Sequence, residues 1–308
     1  MPVISIVIPA HNAASTLTET LRSVLNQTHK EWECLIIENG SSDNTLKIAN
    51  SLADMDSRIR VLQSAPAGVS RARNSGIEQA TGDYFLFLDA DDLLEPNALA
   101  MHLATRAQCT RQPCVSYSGF LYLRQDGGKH QGSGFSRTLH QGDPFKRMLL
   151  EWQKGLHMPP HCFMFDKATF KAESIRFDTN LKAFGDDVDC WLRIMATKPE
   201  LLYIAENLSL YRESTSSLSQ NVGIMLESAE VFCSLWHQRL KNDRELKAEF
   251  GEYCEWIKEF WSVIRPDQIR KEAGQLHKIQ RANRLKSLIH RYVPWFMQKG
   301  IKKFVDRH

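Results

Sequence analysis

Apolar positions along the first 110 residues keep two alternating rhythms. Val3–Pro9 is a short β-branched run, long enough for a buried strand and too short for a helix. The spacing then predicts a helix, with Thr16 and Glu19 placed as a capping box and Leu17, Leu21, Val24 and Leu25 forming one apolar face. A strand is expected over Cys34–Glu38, ended by the turn-rich NGSSDNT at 39–45. Leu46, Ile48, Ala49, Leu52 and Ala53 fit a second helix. Ile59–Leu62 reads as a third strand, and Val69–Ala80 as a helix closed by Gly82. Tyr84–Leu88 is a wholly apolar strand running into DADD at 89–92, and Pro96 is placed to begin another helix. This order predicts an α/β fold with a mainly parallel central sheet and helices on both faces.

In such sheets ligands bind beyond the carboxyl ends of the strands. The polar segments expected there are AHN (10–12), ENGSSD (38–43) and DADD (89–92), converging on one pocket. From about 112 to 220 the pattern is less regular. Val115–Leu123 reads as a strand with aromatics, Asp187–Thr197 as a helix with Val188, Trp191, Leu192 and Met195 on one face, and Leu201–Ala205 as a short strand. Beyond about 220 the chain turns to long, charged helical stretches. The expected division is a domain over 1–220, with halves 1–110 and 111–220, and a basic helical extension over 221–308.

Composition narrows the class. Of 308 residues, 43% are apolar and 24% charged, which excludes disordered and low-complexity chains. Seven irregularly spaced cysteines argue against a disulfide scaffold and for a reducing compartment. No run approaches the ~18 apolar residues of a membrane span, and the N-terminus lacks the pattern of a signal peptide. The formal net charge of +3 hides an asymmetry: residues 265–308 carry a net +9 and the remainder −6. A basic tail holding Tyr292, Trp295, Phe296 and Phe304 suits an anionic membrane surface, with a solvated helix packed on the body as the alternative.

Several clusters could carry chemistry. The three carboxylates of DADD are expected to emerge together at the sheet edge. A hard cation such as Mg²⁺ or Mn²⁺ would relieve their repulsion; a solvated acidic turn is the other reading. GDDVDCWLR (185–193) opens a helix with three more carboxylates. They serve either as helix caps or, at a reference pKa of about 3.9, as an ionised general base. Glu38 could hold a base N–H or a ribose hydroxyl, or simply end a strand. Arg73 and Asn74 lie in a helix over the same edge, where Arg73 could meet a base or phosphate. HMPPHC (157–162) gathers two His and a Cys, but its prolines prevent a helical metal face. A GxxxxGK[ST] loop, a GxGxxG turn and a GxSxG elbow are absent, which disfavours P-loop, dinucleotide and serine-hydrolase chemistry.

Taken together, SIVIPAHN, LIIENGSSDNT, GVSRARNSGIEQATGDYFLFLDADD, GDDVDCWLR and LYRESTSSLS (210–219) resemble the family 2 glycosyltransferases over roughly residues 3–220. The resemblance implies the GT-A fold and an inverting, metal-dependent hexosyl- or N-acetylhexosaminyl-transferase. The donor would be a nucleotide-diphospho-sugar, with UDP-sugars favoured. The acceptor would be a glycan or lipid-linked saccharide in surface polysaccharide assembly. The enzyme would be cytoplasmic or peripheral on the inner membrane face, with no nucleic-acid partner. Carried over by position, Pro9, His11 and Asn12 would line the nucleotide pocket. Glu38, where Asp is usual, would contact the base, beside Asn39, where a second Asp is common. Arg73, Asp89, Ala90 and Asp91 would complete the donor site. Asp89 and Asp91 would be the outer carboxylates of the DXD motif that holds Mg²⁺ or Mn²⁺, and Asp187 would be the catalytic base. Ser214 stands where the family often places a His that can join the metal site. The Asn39 and Ser214 departures leave room for a non-catalytic sugar-nucleotide-binding protein, and carboxylates at a sheet edge also suit a nucleotidyltransferase.

Overall fold

The computed structural model describes residues 3–131, 138–151, 158–172, 175–182, 185–213 and 222–264. The chain forms two compact units. The first comprises residues 1–144, 158–179 and 186–214, and the second residues 145–157, 180–185 and 215–308.

The first unit is built on one sheet. β1 (Ile4–Ala10), β2 (Trp32–Glu38), β3 (Ile59–Gln63) and β4 (Tyr84–Phe87) form its parallel half, in the order β3-β2-β1-β4. Helices α1 (Leu17–Leu25), α2 (Thr45–Ala53) and α3 (Val69–Gln79) connect them, as the βα rhythm requires. Beyond β4 the sheet is mixed. β8 (Phe163–Asp166) runs antiparallel to β4 and to β6 (Cys114–Leu123), and β6 lies parallel to β9 (Glu200–Arg212). β5 (Leu93–Leu94) pairs with β9 and β7 (Lys129–Gln131) with β6. The parallel character that the sequence suggests for the whole sheet therefore belongs to its first half. The strand expected at Leu201–Ala205 is the start of a 13-residue one, whose register against β6 shifts around Gly119.

Side-chain alternation gives the sheet two unlike faces. One is aliphatic: Ile4, Ile6, Ile8, Ile36, Leu86, Leu88 and Met164 pack against Leu17, Leu21 and Val24 of α1, Ala49 of α2 and Leu99 of α4 (Ala98–Arg106). The other is aromatic. Phe85, Phe87, Phe163 and Phe165 meet Phe170 of α6 (Lys167–Ala172), Phe177, and Trp191 of α7 (Asp186–Ala196). Trp191 stacks on Phe165 with centroids 4.3 Å apart. At the amino-terminal edge of the strands Glu33 collects Ser5, Thr81 and Gly82 through its Oε1. Burial raises its pKa, but these hydrogen bonds outweigh it and hold the carboxylate below its usual range.

Three local expectations change. Thr16 precedes α1, yet its hydroxyl donates to the Ala90 carbonyl at 2.9 Å and Glu19 pairs with Arg212, so no capping box forms. Gly82 does not close α3, which ends in the extended Ala80. Gly82 is small because a Cβ there would meet Ser5 Oγ at 2.6 Å and the Val3 carbonyl oxygen at 2.7 Å. α4 starts at Ala98 behind Asn97, two residues past Pro96.

The second unit contains α5 (Pro144–Glu151) from Phe145 on, α8 (Val222–Arg239) and α9 (Arg244–Ile264). Its core is again aromatic, with Phe232, Trp236, Phe250 and Tyr253 in ring contact and Phe145 on Trp236. Asp243 accepts the Leu246 N–H and caps α9. No described helix is long and apolar enough to cross a membrane. All seven cysteines are free thiols. The tail from 265, where a membrane-facing helix is expected, lies outside the described residues.

Two helical glycines should respond oppositely to alanine. A Cβ on Gly76 of α3 would come within 2.3 Å of Val7 Cγ1, whereas Gly251 of α9 faces open space. Overpacking of about 1–3 kcal/mol should outweigh the helix-propensity gain in Gly76→Ala, while Gly251→Ala should gain up to about 1 kcal/mol. Urea melts of both variants check the signs.

Candidate active site

The parallel strands β1, β2 and β4 end on one edge, and the polar segments predicted there do converge. β1 ends at Ala10, whose carbonyl accepts the Asn39 N–H at 2.9 Å. His11 Nδ1 lies 3.1 Å from the Asn39 carbonyl oxygen. Asn12, in the left-handed conformation with φ 49°, accepts the Ser42 N–H at 2.9 Å through Oδ1. Glu38 is buried and accepts the Ser41 N–H at 2.5 Å. Burial pushes its pKa up, but the bonds from Ser41 and Gly40 and the nearby His11 outweigh this and keep it low. Asn39 Oδ1 accepts the Gly68 N–H at the start of α3. Pro9 lies just inside this edge, opposite Ile37 and past the last β1–β4 pair at Val7. These residues make a folded, hydrogen-bonded wall beside the acidic turn.

The four residues after β4 and Leu88 do not behave alike. Thr16, just before α1, and Thr20 within it both donate to the Ala90 carbonyl, at 2.9 and 3.0 Å, so Ala90 contributes a tethered backbone. Asp92 does not emerge with the others, contrary to the expectation for DADD. It is 1% exposed, accepts the Arg212 N–H at 2.7 Å and faces His161 Nδ1 at 3.4 Å. Asp89 and Asp91 keep solvent access. Partial burial and the charge of Asp89 raise Asp91 to about 6, against the pull of Arg212.

Arg73 joins this turn to the second acidic cluster. Its guanidinium is buried; Nη2 donates to Asp89 at 2.8 Å and Nη1 to Asp186 at 2.6 Å. Phe177 lies under it, 5.3 Å from the ring centroid. Asn74, next along α3, holds both the N–H and the carbonyl of Phe177, so its work is structural. Asp186 and Asp187 open α7, which Trp191 anchors on the aromatic face. The expectation of a base at its reference pKa fails for Asp187. Burial and the neighbouring Asp186 raise it to about 7, against Arg73 and the Val188 N–H. Asp189 is turned inward and bonds Arg193 one turn on.

Sequence reasoning missed Arg212, Thr16, Thr20 and His161 as parts of this site. Arg212 stood inside the YRES stretch, but nothing in its spacing shows that β9 ends beside Asp91. Ser214 lies outside the described residues. Of HMPPHC, His161 and Cys162 are buried, and His157 lies outside the described residues.

The donor set decides what ion could fit. Among the described residues no group of three or more His, Cys, Asp or Glu side chains surrounds one point. Asp89 and Asp91 instead offer two neighbouring, solvent-reachable carboxylates whose mutual repulsion a cation would relieve. That suits a hard ion such as Mg²⁺ or Mn²⁺, which takes one or two carboxylates and shares the rest of its shell with water and substrate phosphates.

Comparison with known proteins fits this geometry. The model of glycosyl transferase family 2 matches residues 5–172, more than half of the chain. The chain belongs to that family. It is 34% identical over 127 residues to TuaG of Bacillus subtilis, a glycosyltransferase provisionally assigned to teichuronic acid biosynthesis; the match covers 41% of this chain and 50% of TuaG. The chain spans about half to two thirds of the length of the first bacterial relatives it matches. Residues 1–349 of Staphylococcus aureus TarS, solved with UDP-GlcNAc, superpose with a TM-score of 0.60 at 17% identity, over 95% of this chain and 82% of that one. The mannosyltransferase PcManGT of Pyrobaculum calidifontis, solved with GDP-Man and Mn²⁺, gives 0.62 at 13% identity, over 100% and 88%. The fold is GT-A.

The raised pKa of Asp91 carries a sign for stability. The folded protein keeps a proton between about pH 4 and 6 that the unfolded chain has lost, so stability falls as pH rises through that window. In chelated buffer at pH 7.5, Asp91→Asn should therefore be more stable than wild type by about 1–2 kcal/mol, and the gap should close near pH 4. Thermal melts at the two pH values measure it.

Proposed function

We propose that the chain is an inverting glycosyltransferase that moves a sugar from a nucleotide-diphospho-sugar to a hydroxyl of a glycan or lipid-linked acceptor. The observation that carries this reading is the shared guanidinium of Arg73. It bonds both Asp89 and Asp186, 97 residues apart, and Asp187, next to Asp186, feels the charge of Asp89, which supports a shared site.

Transfer needs a proton acceptor on one side of the anomeric carbon and charge stabilisation on the other. Asp187 supplies the first: once ionised, its carboxylate takes the proton of the attacking hydroxyl. In-line attack from that side inverts the anomeric configuration. Asp89 and Asp91 would hold the cation; when bound, Mg²⁺ or Mn²⁺ neutralises negative charge developing on the leaving diphosphate. Glu38, Asn39, Pro9, His11 and Asn12 form the wall for the nucleoside. A UDP-sugar is the favoured donor, supported by the similarity to TarS with its UDP-GlcNAc. The similarity to TuaG supports an acceptor in surface polysaccharide assembly. Residues 1–220 would be the transferase domain. The basic stretch from 265, with its net charge of +9, would meet anionic lipid at the cytoplasmic face.

Asp187→Asn should lower kcat by about 10²–10⁴-fold while leaving donor affinity within about twofold. A fully active variant would refute the base assignment. Because the base must be ionised, kcat/KM of the wild type should rise with pH through about 7. Asp91→Asn should abolish stimulation of turnover by Mn²⁺. Product NMR should show the anomeric configuration opposite to that of the donor; turnover with retention would refute in-line displacement.

A further inference from the structure

Arg212 ends β9 and makes three separate tethers. Its N–H donates to Asp92 Oδ1 at 2.7 Å, its Nε to the Asp91 carbonyl at 2.7 Å, and its Nη2 to Glu19 Oε2 at 2.6 Å. Glu19 lies on α1, where Thr20 and the preceding Thr16 hold the Ala90 carbonyl. Apart from the Arg212–Glu19 ion pair, each of these bonds takes a backbone carbonyl or the buried Asp92. None takes the carboxylate of Asp91, and Asp89 is bonded from elsewhere, by Arg73.

We propose that Arg212 is a positioning residue for the acidic turn: with Glu19 it fixes the backbone from Ala90 to Asp92, so that the two outer carboxylates are preset for a divalent cation. Geometry, not charge alone, is the requirement. A lysine keeps the positive charge near Asp91 but cannot reach the Asp91 carbonyl and Glu19 at once, as the guanidinium fork does. Outer groups that orient ligands typically cost 10–100-fold in metal affinity or activity when removed. This inference rests on the proposed metal-dependent transfer, and the two can fail separately.

The test titrates Mn²⁺ against the metal-free full chain by electron paramagnetic resonance, well below the melting temperature. It compares wild type with Arg212→Lys, Arg212→Gln and Glu19→Gln. Metal-free nucleotide affinity is measured beside it, with UDP as the probe. Arg212→Lys and Arg212→Gln should both lose about tenfold or more in Mn²⁺ affinity, Glu19→Gln should lose a smaller factor in the same direction, and UDP affinity without metal should not change. An Arg212→Lys variant that binds Mn²⁺ like wild type would overturn the proposal, because charge would then suffice. So would a loss of metal-free UDP binding in Arg212→Gln as large as the loss of Mn²⁺ binding, because Arg212 would then be a direct ligand contact. Wild type that binds no Mn²⁺ would overturn the metal reading itself, and this inference with it. Glu19→Gln removes the charge of one partner on the exposed side of α1 and keeps the test open should the Arg212 variants fold poorly.

Discussion

One buried guanidinium organises the functional edge of this protein. Arg73 sits where the parallel half of the sheet ends, with almost no access to water, and two carboxylates from distant parts of the chain share its charge. A buried cation without partners would be prohibitively costly, so the fold must deliver both Asp89 and Asp186 to it. That constraint ties α3, the turn after β4 and the first turn of α7 into one piece. Asp186 and Asp89 each give one carboxylate oxygen to the guanidinium. Asp91 and Asp187 have raised pKa values, burial outweighing the pull of Arg212 on the first and of Arg73 on the second. We propose that those two carboxylates carry the chemistry of the site.

Around this centre the same logic recurs with backbone groups. The turn after β4 is held by hydroxyls of α1 and by the end of β9, while its outer carboxylates stay free of those bonds. The wall built from Glu38, Asn39 and Asn12 is likewise closed by bonds to Ser41, Gly68 and Ser42. A site whose supports are satisfied among themselves needs little rearrangement when a charged ligand arrives, which is how fixed polar groups contribute most to catalysis.

Legibility in the sequence followed the range of the forces involved. The βα rhythm of the first half could be read directly, because each strand and helix there is a local hydrophobic pattern. The clustering of His11, Glu38 and Asp89 followed from topology, since parallel strands end together. The antiparallel insertion of β8 could not be read: Phe163–Asp166 is three apolar residues and an aspartate, too short for periodicity, next to a proline-rich turn. Asp92 and Asp91 are identical residues one position apart, and only the tertiary fold turns one into a buried strut and leaves the other at the surface. Arg212 and His161 lie 120 and 69 residues from Asp92 and carry no local signal of their partner. The neutral-range pKa of Asp187 was equally hidden, because it comes from burial and from Asp186 under Arg73, not from the residue type.

The most direct test of a shared site is carbon-13 NMR of aspartate carboxyl groups across a pH titration, with and without Mg²⁺. If the two acidic clusters face one cleft, one carboxyl resonance, missing in Asp187→Asn, should titrate near pH 7 in the metal-free protein. It should move down by about one unit or more when Mg²⁺ is added, and that shift should vanish in Asp91→Asn. A titration of Asp187 indifferent to Mg²⁺, in protein that demonstrably binds the ion through Asp91, would contradict the account.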